Sequence, residues 1–341
     1  MVNVVVAGVG TIGKRVAEAV KKQDDMNLYG VADVSQTGGL RTVLHENGPL
    51  HGTDLYASNH DGKENLEDEG FYVAGILEDQ LDEVDLVVDC TPPGVDKKNK
   101  ENLYEPHNVK AVFQGGAPED IAPVAFNADA NYNDARGKDY VKVVSCNTTS
   151  LSRTMSAIDE AFGIDNAVAS LVRRGGDIPQ DSRGPINSTI PVTEVPSHHG
   201  PDVQAVMPEL DIKTLAVKVP VTYGHVHMVN LELEGDATEE EVKEAFRNQP
   251  RVDLISAGEG YDSTGKIHEK MRDLNTPRSD MPNAAVWEET IKVEGDTLYW
   301  IHMVHQESIV VPDNVDAIRA MFEMEDKETS IAKTDEALGL R

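Results

Sequence analysis

An apolar run that leads directly into closely spaced glycines opens the chain. Residues Val2 to Ala7 predict a buried strand, and the string Gly8-Val9-Gly10-Thr11-Ile12-Gly13 follows at once. Helical spacing of apolar residues begins within this string. A strand, a glycine-rich turn and a helix in this order are typical of dinucleotide binding. Gly8 forms the turn, Gly10 leaves room for a pyrophosphate, and Gly13 lets helix and strand pack closely. The motif predicts an α/β domain of the Rossmann type.

An acidic residue ends the second predicted strand. Leu28 to Ala32 is followed by Asp33, at the usual distance after the glycines. A carboxylate at this place accepts hydrogen bonds from ribose hydroxyls and repels the additional phosphate of NADP. It therefore favours NAD, although Arg41 could accommodate that phosphate.

Two further apolar runs end in turn residues and extend the predicted parallel sheet. They cover Asp85 to Asp89 and Lys110 to Phe113. Ligands of such sheets lie beyond the carboxyl ends of the strands. Cys90 and Gly116 follow these ends. We expect Cys90 to pack near the cofactor, while Gly116 either approaches the ligand or serves as a simple turn glycine.

Cys146 lies where another strand gives way to a helix. Tyr140 to Val144 predicts the strand, and apolar residues from Leu151 onward recur at helical spacing. The free N–H groups and the dipole at a helix start stabilise a thiolate, and the same groups can hold an oxyanion or a phosphate. Thr148 adds a hydroxyl donor. Cys146 is therefore a candidate nucleophile, with an inert core cysteine as the alternative.

The second half of the chain shows the alternation of antiparallel strands. Apolar residues alternate from His225 to Leu233, so His225 and His227 face the core side together. Each is a candidate catalyst or a hydrogen-bonded core residue, and alternation does not say which one acts. A hairpin over Thr290–Ile301 and a last helix after Pro312 complete a predicted α+β domain with a largely antiparallel sheet.

Positive charge gathers at one strand end in an otherwise acidic chain. The predicted strand Val168–Val172 leads into Arg173 and Arg174, and another predicted strand covers Leu215–Val221. The loop Pro196–Asp202 holds two adjacent histidines. These residues suit an anionic substrate. The histidines lack the spacing of a zinc site, so we expect no metal.

The composition excludes several classes of partner. Sixty acidic against 31 basic residues give a formal net charge of −29, which disfavours nucleic acid and anionic membrane surfaces. No apolar run reaches the ~20 residues of a membrane span, and the opening residues resemble a strand rather than a signal peptide. The two cysteines, Cys90 and Cys146, fit a reducing cytoplasm rather than a disulfide framework.

Four strings carry a family resemblance. They are Phe113–Gly116, Ser145–Thr149, Pro196–Asp202 and His305–Ser308. They resemble those of archaeal-type (type II) phosphorylating glyceraldehyde-3-phosphate dehydrogenases, and the resemblance extends from Gly8 through the C-terminal helix. It implies a cytoplasmic homotetramer that oxidises glyceraldehyde 3-phosphate with NAD or NADP and inorganic phosphate to 1,3-bisphosphoglycerate.

The same resemblance implies roles for individual residues. Cys146 matches the nucleophile, and His225 matches the general base that removes the hydroxyl proton of the thiohemiacetal. The implied cofactor contacts are Thr11, Ile12, Gly116, Arg174 and Gln306. The implied substrate contacts are Ser145, Asn147, His199 and Gly200, to which the reasoning above adds Thr148 and Arg173. Relatives that use NADP tend to lack an acid at the position of Asp33, which leaves the cofactor open.

We expect a dinucleotide-binding domain over residues 1–145 and 306–341 and a catalytic domain over residues 146–305. The resemblance implies that the C-terminal helix folds back onto the first domain. Two other functions stay open. An aspartate-semialdehyde-type dehydrogenase shares the two-domain plan and a thiolate nucleophile, and a nucleotide-binding sensor would keep the fold without turnover.

We interpret the net charge of −29 as an adaptation of the surface to high salt, where screening reduces self-repulsion. The protein should therefore unfold at a lower denaturant concentration in dilute buffer than in molar salt. Equal stability in the two solutions, measured by denaturant titration, would contradict this interpretation.

Overall fold

The computed structural model describes residues 1–177 and 184–340. The strands, in chain order, are β1 Val2–Ala7, β2 Met26–Asp33, β3 Leu55–Ala57, β4 Gly75–Ile76, β5 Leu86–Asp89, β6 Lys110–Phe113, β7 Ala125–Phe126, β8 Tyr140–Val143, β9 Ile164–Arg174, β10 Ile190–Pro191, β11 Asp211–Val219, β12 His225–Leu233, β13 Val252–Ile255, β14 Ala284–Trp287, β15 Lys292–Glu294 and β16 Thr297–Val304. The α-helices are α1 Gly13–Lys21, α2 Gly38–Leu44, α3 His60–Asp68, α4 Val95–Asn99, α5 Glu105–His107, α6 Ala128–Asn131, α7 Cys146–Phe162, α8 His199–Gln204, α9 Glu239–Asn248, α10 Thr264–Asp273, α11 Val311–Met321 and α12 Lys327–Leu338.

The chain divides into two compact units. The first unit comprises Met1–Ser145 with Val311–Arg341, and the second comprises Cys146–Val310. Residues 306–310, which the sequence places with the dinucleotide-binding domain, lie in the second unit. Hydrogen bonds hold them there. Arg153 on α7 donates to the backbone oxygen of Ile309 at 2.8 Å.

The first unit is built on a parallel sheet. Its strand order is β4-β3-β2-β1-β5-β6-β8-β7, and every pairing is parallel. The order reverses direction between β1 and β5, which is where ligands bind in open sheets of this type. Strands β1 and β6 have the predicted bounds, and the Rossmann-type sheet is confirmed. The continuous apolar strands are buried on both faces, as parallel sheets covered by helices require.

The second unit is built on a mixed sheet. Its strand order is β10-β11-β9-β12-β16-β14-β13, with β15 on β16. The pairs β9/β11 and β13/β14 are parallel and the other pairs are antiparallel, which confirms the predicted α+β class. Strand β12 alternates as predicted, with His225, His227 and the apolar residues that follow on the buried side.

Two strands of this sheet differ from their predicted bounds. Strand β9 extends through Arg173 and Arg174, because both residues pair with β11. Strand β11 begins at Asp211 and ends at Val219, earlier than the predicted Val221. The next residue is Pro220, which has no N–H to donate to a neighbouring strand.

The C-terminal segment contains two helices rather than the single predicted one. Helix α11 begins at Val311 and packs against α1 and β8. Its buried Asp313 accepts hydrogen bonds from Asn127 Nδ2 at 3.0 Å and from the backbone N–H of Ala128 at 2.9 Å. The second helix, α12, lacks a strong apolar stripe, and a cap in which Asp326 accepts from the Thr329 N–H marks its start.

Within residues 1–177 and 184–340, no helix has both the length and the apolar composition that a membrane crossing requires.

Candidate active site

The predicted nucleophile and the predicted base lie side by side. Cys146 is the first residue of α7, and His225 is the first residue of β12. The Sγ atom lies 3.7 Å from Nε2 of the imidazole. This separation is within hydrogen-bonding distance for a sulfur atom. The thiol is partly exposed, whereas His225 is buried.

Helix α7 is held deep in the second unit. It packs on β14 and β16 and against α8 and α9. Residues 147–155 are all buried, including several polar ones, so their hydrogen-bonding groups need partners in the protein. Arg153 provides one such tie, because its Nη1 donates to the backbone oxygen of Pro282 at 2.7 Å. The start of the helix, and with it Cys146, is therefore fixed from within.

His225 is oriented by a backbone donor. The N–H of Arg174 donates to Nδ1 of His225 at 2.9 Å. Burial, followed by the charges of Arg174 and Arg173, holds the pKa of His225 well below its ordinary value, so the ring is neutral at pH 7. A neutral imidazole whose Nδ1 accepts carries its proton on Nε2. The resting ring therefore offers Cys146 a donor, and the role of His225 as a general base stays a prediction.

Cys146 rests as a thiol. Burial raises the pKa of the Cys146 thiol to about 11, against the charges of Arg173 and Arg174 and the backbone N–H of Asn147, which lower it. The sequence predicts that the helix start stabilises a thiolate. That contribution is present, but the loss of solvation outweighs it.

His227 has other partners. Its Nε2 lies 2.9 Å from Oδ1 of Asn147, and its Nδ1 lies 3.2 Å from Oγ of Ser150. Both ring nitrogens are thus occupied within the buried part of α7. Of the two histidines that alternation could not separate, His225 is the one beside the sulfur.

A second group of polar side chains, His199 and Arg173, lies near this pair, since the charge of Arg173 acts on Cys146 and on both histidines. His199, at the start of α8, is 1% exposed, and its ring nitrogens have no hydrogen-bond partner within the described residues. Burial and then the charge of Arg173 lower the pKa of His199 to about 3. The Nε of Arg173 also has no partner there. A buried imidazole and a guanidinium with unused donors favour an anionic ligand.

The histidine string is partly helical rather than a loop. Helix α8 begins at His199, and Gly200 lies in its first turn. A Cβ added at Gly200 would lie 3.2 Å from Oγ1 of Thr214, so glycine lets α8 approach β11 closely.

Thr148, another expected substrate contact, is fully buried on α7.

Arg174 and Gln306, both expected at the cofactor, contact one another. Nε of Arg174 donates to Oε1 of Gln306. Its Nη1 reaches Glu307 at 3.2 Å and the backbone oxygen of Thr222 at 3.1 Å, and its Nη2 pairs with Asp177. The side chain of Arg174 is thus held in place by four partners in the second unit.

Among residues 1–177 and 184–340, two groups of side chains have the spacing of metal ligands. They are His198, His199 and Asp202, and Asp280, His305 and Glu307. In the second group Glu307 is paired with Arg174 at 3.2 Å, and Asp280 lies 3.4 Å from Nε of Arg278. Both carboxylates therefore already have cationic partners, and we assign no metal here.

The glycine motif of the first unit has the geometry that a dinucleotide needs. Gly8 has a φ of +83°, and a Cβ at Gly13 would lie 1.9 Å from the backbone oxygen of Gly8. A Cβ at Gly10 would meet nothing within 4 Å, which leaves room for a ligand. Asp33 accepts from the N–H of Val9 at 2.9 Å, so its carboxylate is held beside the glycine turn.

The remaining expected residues of the first unit lie around its strand ends. Ile12 precedes α1, and the backbone oxygen of Thr11 accepts from Arg15 at 2.7 Å. Gly116 is exposed, and a Cβ at its neighbour Gly115 would lie 2.4 Å from the backbone nitrogen of Ser145.

Arg41, which could accommodate the additional phosphate of NADP, has other partners in the structure. Its Nη2 donates to the backbone oxygen of Glu69 at 2.9 Å, and its guanidinium lies 4.6 Å from the ring centroid of Phe71. It would have to leave both contacts to hold the additional phosphate of NADP.

The thiol form of Cys146 predicts a strong pH dependence of its alkylation. In a Cys90→Ala background, the rate with iodoacetamide should rise about 100-fold between pH 7 and pH 9, since the thiolate fraction grows tenfold per pH unit below the pKa. A rate that levels off below pH 8 would instead show a thiolate stabilised as the sequence predicts.

Known proteins match the whole chain. A family model described as glyceraldehyde 3-phosphate dehydrogenase, C-terminal domain, matches residues 145–266. Proteins named glyceraldehyde-3-phosphate dehydrogenase are 50% identical in Pyrococcus abyssi and 49% identical in Thermococcus kodakarensis, each over 99% of both chains. One from Methanobacterium bryantii is 46% identical over 100% of both chains. The resemblance seen in the sequence is confirmed, and the chain belongs to the glyceraldehyde-3-phosphate dehydrogenase family.

Proposed function

We propose that this protein oxidises glyceraldehyde 3-phosphate, with NAD or NADP and inorganic phosphate, to 1,3-bisphosphoglycerate. The observation that carries the proposal is the pairing of Cys146 Sγ with His225 Nε2 at 3.7 Å, in a chain whose full-length relatives bear the name of this activity. The reaction is reversible, and its intermediate is an acyl thioester on Cys146.

The first step adds Cys146 to the aldehyde. A bond forms between Sγ and the aldehyde carbon, the thiol gives its proton to solvent, and the carbonyl oxygen takes up negative charge. Nε2 of His225 carries a hydrogen toward this place, because Nδ1 is held by the Arg174 N–H. We propose that this Nε2–H donates to the developing oxyanion and stabilises it.

The second step is the oxidation. The thiohemiacetal carbon gives up a hydride, which a nicotinamide held by the first unit would accept. If the adduct is already an oxyanion, hydride departure leaves the thioester without further loss of a proton. If the adduct is protonated, His225 must remove the hydroxyl proton, as the resemblance implies, and must first have an unprotonated Nε2. The hydrogen bond from Arg174 favours the first course.

The third step releases the product. An oxygen of inorganic phosphate attacks the acyl carbon, the carbon–sulfur bond breaks, and the sulfur of Cys146 leaves with the electron pair. We propose that Arg173 and His199 bind the anionic groups of the reactants, because Nε of Arg173 and both ring nitrogens of His199 have no partner within the described residues, and Arg173 lies near enough to Cys146 to lower the pKa of its thiol. Asn147 and Thr148 follow Cys146 on α7 and complete the proposed substrate contacts with Ser145 and Gly200.

We propose that the first unit binds the cofactor through the turn from Gly8 to Gly13, together with Gly116. Asp33 supports a preference for NAD, since its carboxylate lies beside the turn and Arg41 is engaged elsewhere. Arg174 and Gln306 are the proposed contacts from the second unit.

A cytoplasmic homotetramer is part of the proposal. It rests on the family alone, and sedimentation of the purified protein as four chains would support it. Sedimentation as a single chain would contradict it.

The activity is tested by following reduced nicotinamide with purified protein and glyceraldehyde 3-phosphate, with phosphate and either cofactor. We expect turnover, faster with NAD, and no acyl-enzyme formation in Cys146→Ser. Faster oxidation of aspartate semialdehyde would favour the semialdehyde dehydrogenase. The absence of turnover with both aldehydes would favour a nucleotide-binding sensor.

Two substitutions of His225 test whether its imidazole acts as a hydrogen-bond donor or as a base. His225→Ala should lower kcat by about 10²- to 10⁴-fold. His225→Gln should retain at least about tenfold more activity than His225→Ala, because its amide can donate from nearly the position of Nε2. Cys146 should still be alkylated in both variants, which controls for folding. Equal losses in the two variants would show that the imidazole accepts a proton.

A further inference from the structure

We propose that a buried chain of hydrogen bonds, which begins at Trp300, holds the carboxamide of Asn147 with its oxygen toward His227, so that its NH₂ group is the one offered to the substrate. The members of the chain, in order, are Trp300, His302, Ser150, His227 and Asn147. The inference rests on the proposed function and adds positioning residues to it. It gives a role to the strand histidine that the chemistry does not use.

The sheet and the helix bring these residues together. His227 on β12 pairs directly with His302 on β16, and Trp300 lies two residues earlier on the same face of β16. Helix α7 packs on β16, and Ser150 lies one turn after Asn147. All five side chains are at most 2% exposed, so water does not compete for their hydrogen bonds.

The hydrogen-bond chain begins at an atom that can only donate, and this fixes the direction of its first bonds. The indole Nε1–H of Trp300 donates to Nδ1 of His302 at 3.0 Å. Burial lowers the pKa of His302 to about 3, so the ring is neutral and carries its single proton on Nε2. That nitrogen lies 3.4 Å from Oγ of Ser150. His302 therefore donates to Ser150, and the Ser150 hydrogen is free to point elsewhere.

Two acceptors compete for that hydrogen. The backbone oxygen of Asn147 lies 3.0 Å from Oγ of Ser150, and Nδ1 of His227 lies 3.2 Å from it. Which acceptor Ser150 uses depends on the protonation of His227, and this follows from the contact of its other ring nitrogen. Nε2 of His227 faces Oδ1 of Asn147 at 2.9 Å, and an oxygen there requires Nε2–H. Nδ1 is then unprotonated and accepts from Ser150.

The consequence falls on the residue next to the nucleophile. Oδ1 of Asn147 is committed to His227, so the group that this side chain can offer a ligand is its NH₂, with two donors. Donors beside Cys146 stabilise negative charge on the oxygen of the adduct. Without the indole N–H, His302 could accept from Ser150, His227 could reverse, and Asn147 could turn its oxygen to the substrate.

The test removes two buried hydroxyls of α7, each in its own variant. One hydroxyl belongs to the hydrogen-bond chain and the other does not. Ser150→Ala should lower kcat at least tenfold with little change in KM. Thr154→Val removes a hydroxyl that donates to the backbone oxygens of Ser150 and Leu151 and to no side chain of the hydrogen-bond chain, and it should stay within twofold of the unsubstituted protein. Equal kcat values in the two variants would overturn the proposal.

A double-mutant cycle distinguishes positioning from a general structural effect. In an Asn147→Ala background, Ser150→Ala should cause no further loss of kcat, because the carboxamide that it orients is gone. Additive losses would overturn the proposal. Trp300→Phe, which keeps an aromatic ring but removes the N–H, should show the same loss and the same lack of additivity.

The activity of the unsubstituted protein distinguishes a failure of this proposal from a failure of the proposed function. If it fails to oxidise glyceraldehyde 3-phosphate, the function is wrong. If it is active and the cycle is additive, only the role of the chain is wrong. Alkylation of Cys146 at the same rate in every variant confirms that the thiol and His225 remain in place.

Discussion

The burial of the polar first half of α7 is the constraint on which the rest of the second unit depends. A buried donor or acceptor without a partner costs about 1–3 kcal/mol, so the side chains of this segment must be satisfied by the protein around them. Arg153 reaches backbone oxygens at Pro282 and Ile309, and Ser150 and Asn147 reach histidines on the strands. The hydrogen bonds that hold the helix in place therefore also hold the first residue of the helix, Cys146, in place.

The same burial sets the chemistry. Loss of solvation raises the pKa of the Cys146 thiol and lowers that of His225, so the resting pair is neutral. The charges of Arg173 and Arg174, at the end of β9, lower the pKa of the Cys146 thiol and so oppose the effect of burial. The backbone N–H of Arg174 donates to Nδ1 of His225 and so fixes the tautomer of the ring. Cys146 as a residue is nevertheless only half-buried, so it is not closed off from a substrate.

Parts of the fold and of the site could be predicted because their signals are local. The glycine turn, β1, β12 and the start of α7 follow from residues adjacent in sequence, and the structure has them as predicted. Helix α12 has too few apolar residues for periodicity to detect. The strand β9 is longer than its apolar pattern, because pairing with β11 carries Arg173 and Arg174 into the sheet.

By itself the sequence determined the two kinds of sheet, the family, and the candidates Cys146, His225 and His227. Only the tertiary structure shows which imidazole lies beside Cys146, because Cys146 and His225 are 79 positions apart and alternation gives both imidazoles the same face. It also decided that the resting sulfur is a thiol. Helix position favours a thiolate locally, but solvation depends on everything that packs around the atom, and that is a property of the folded chain.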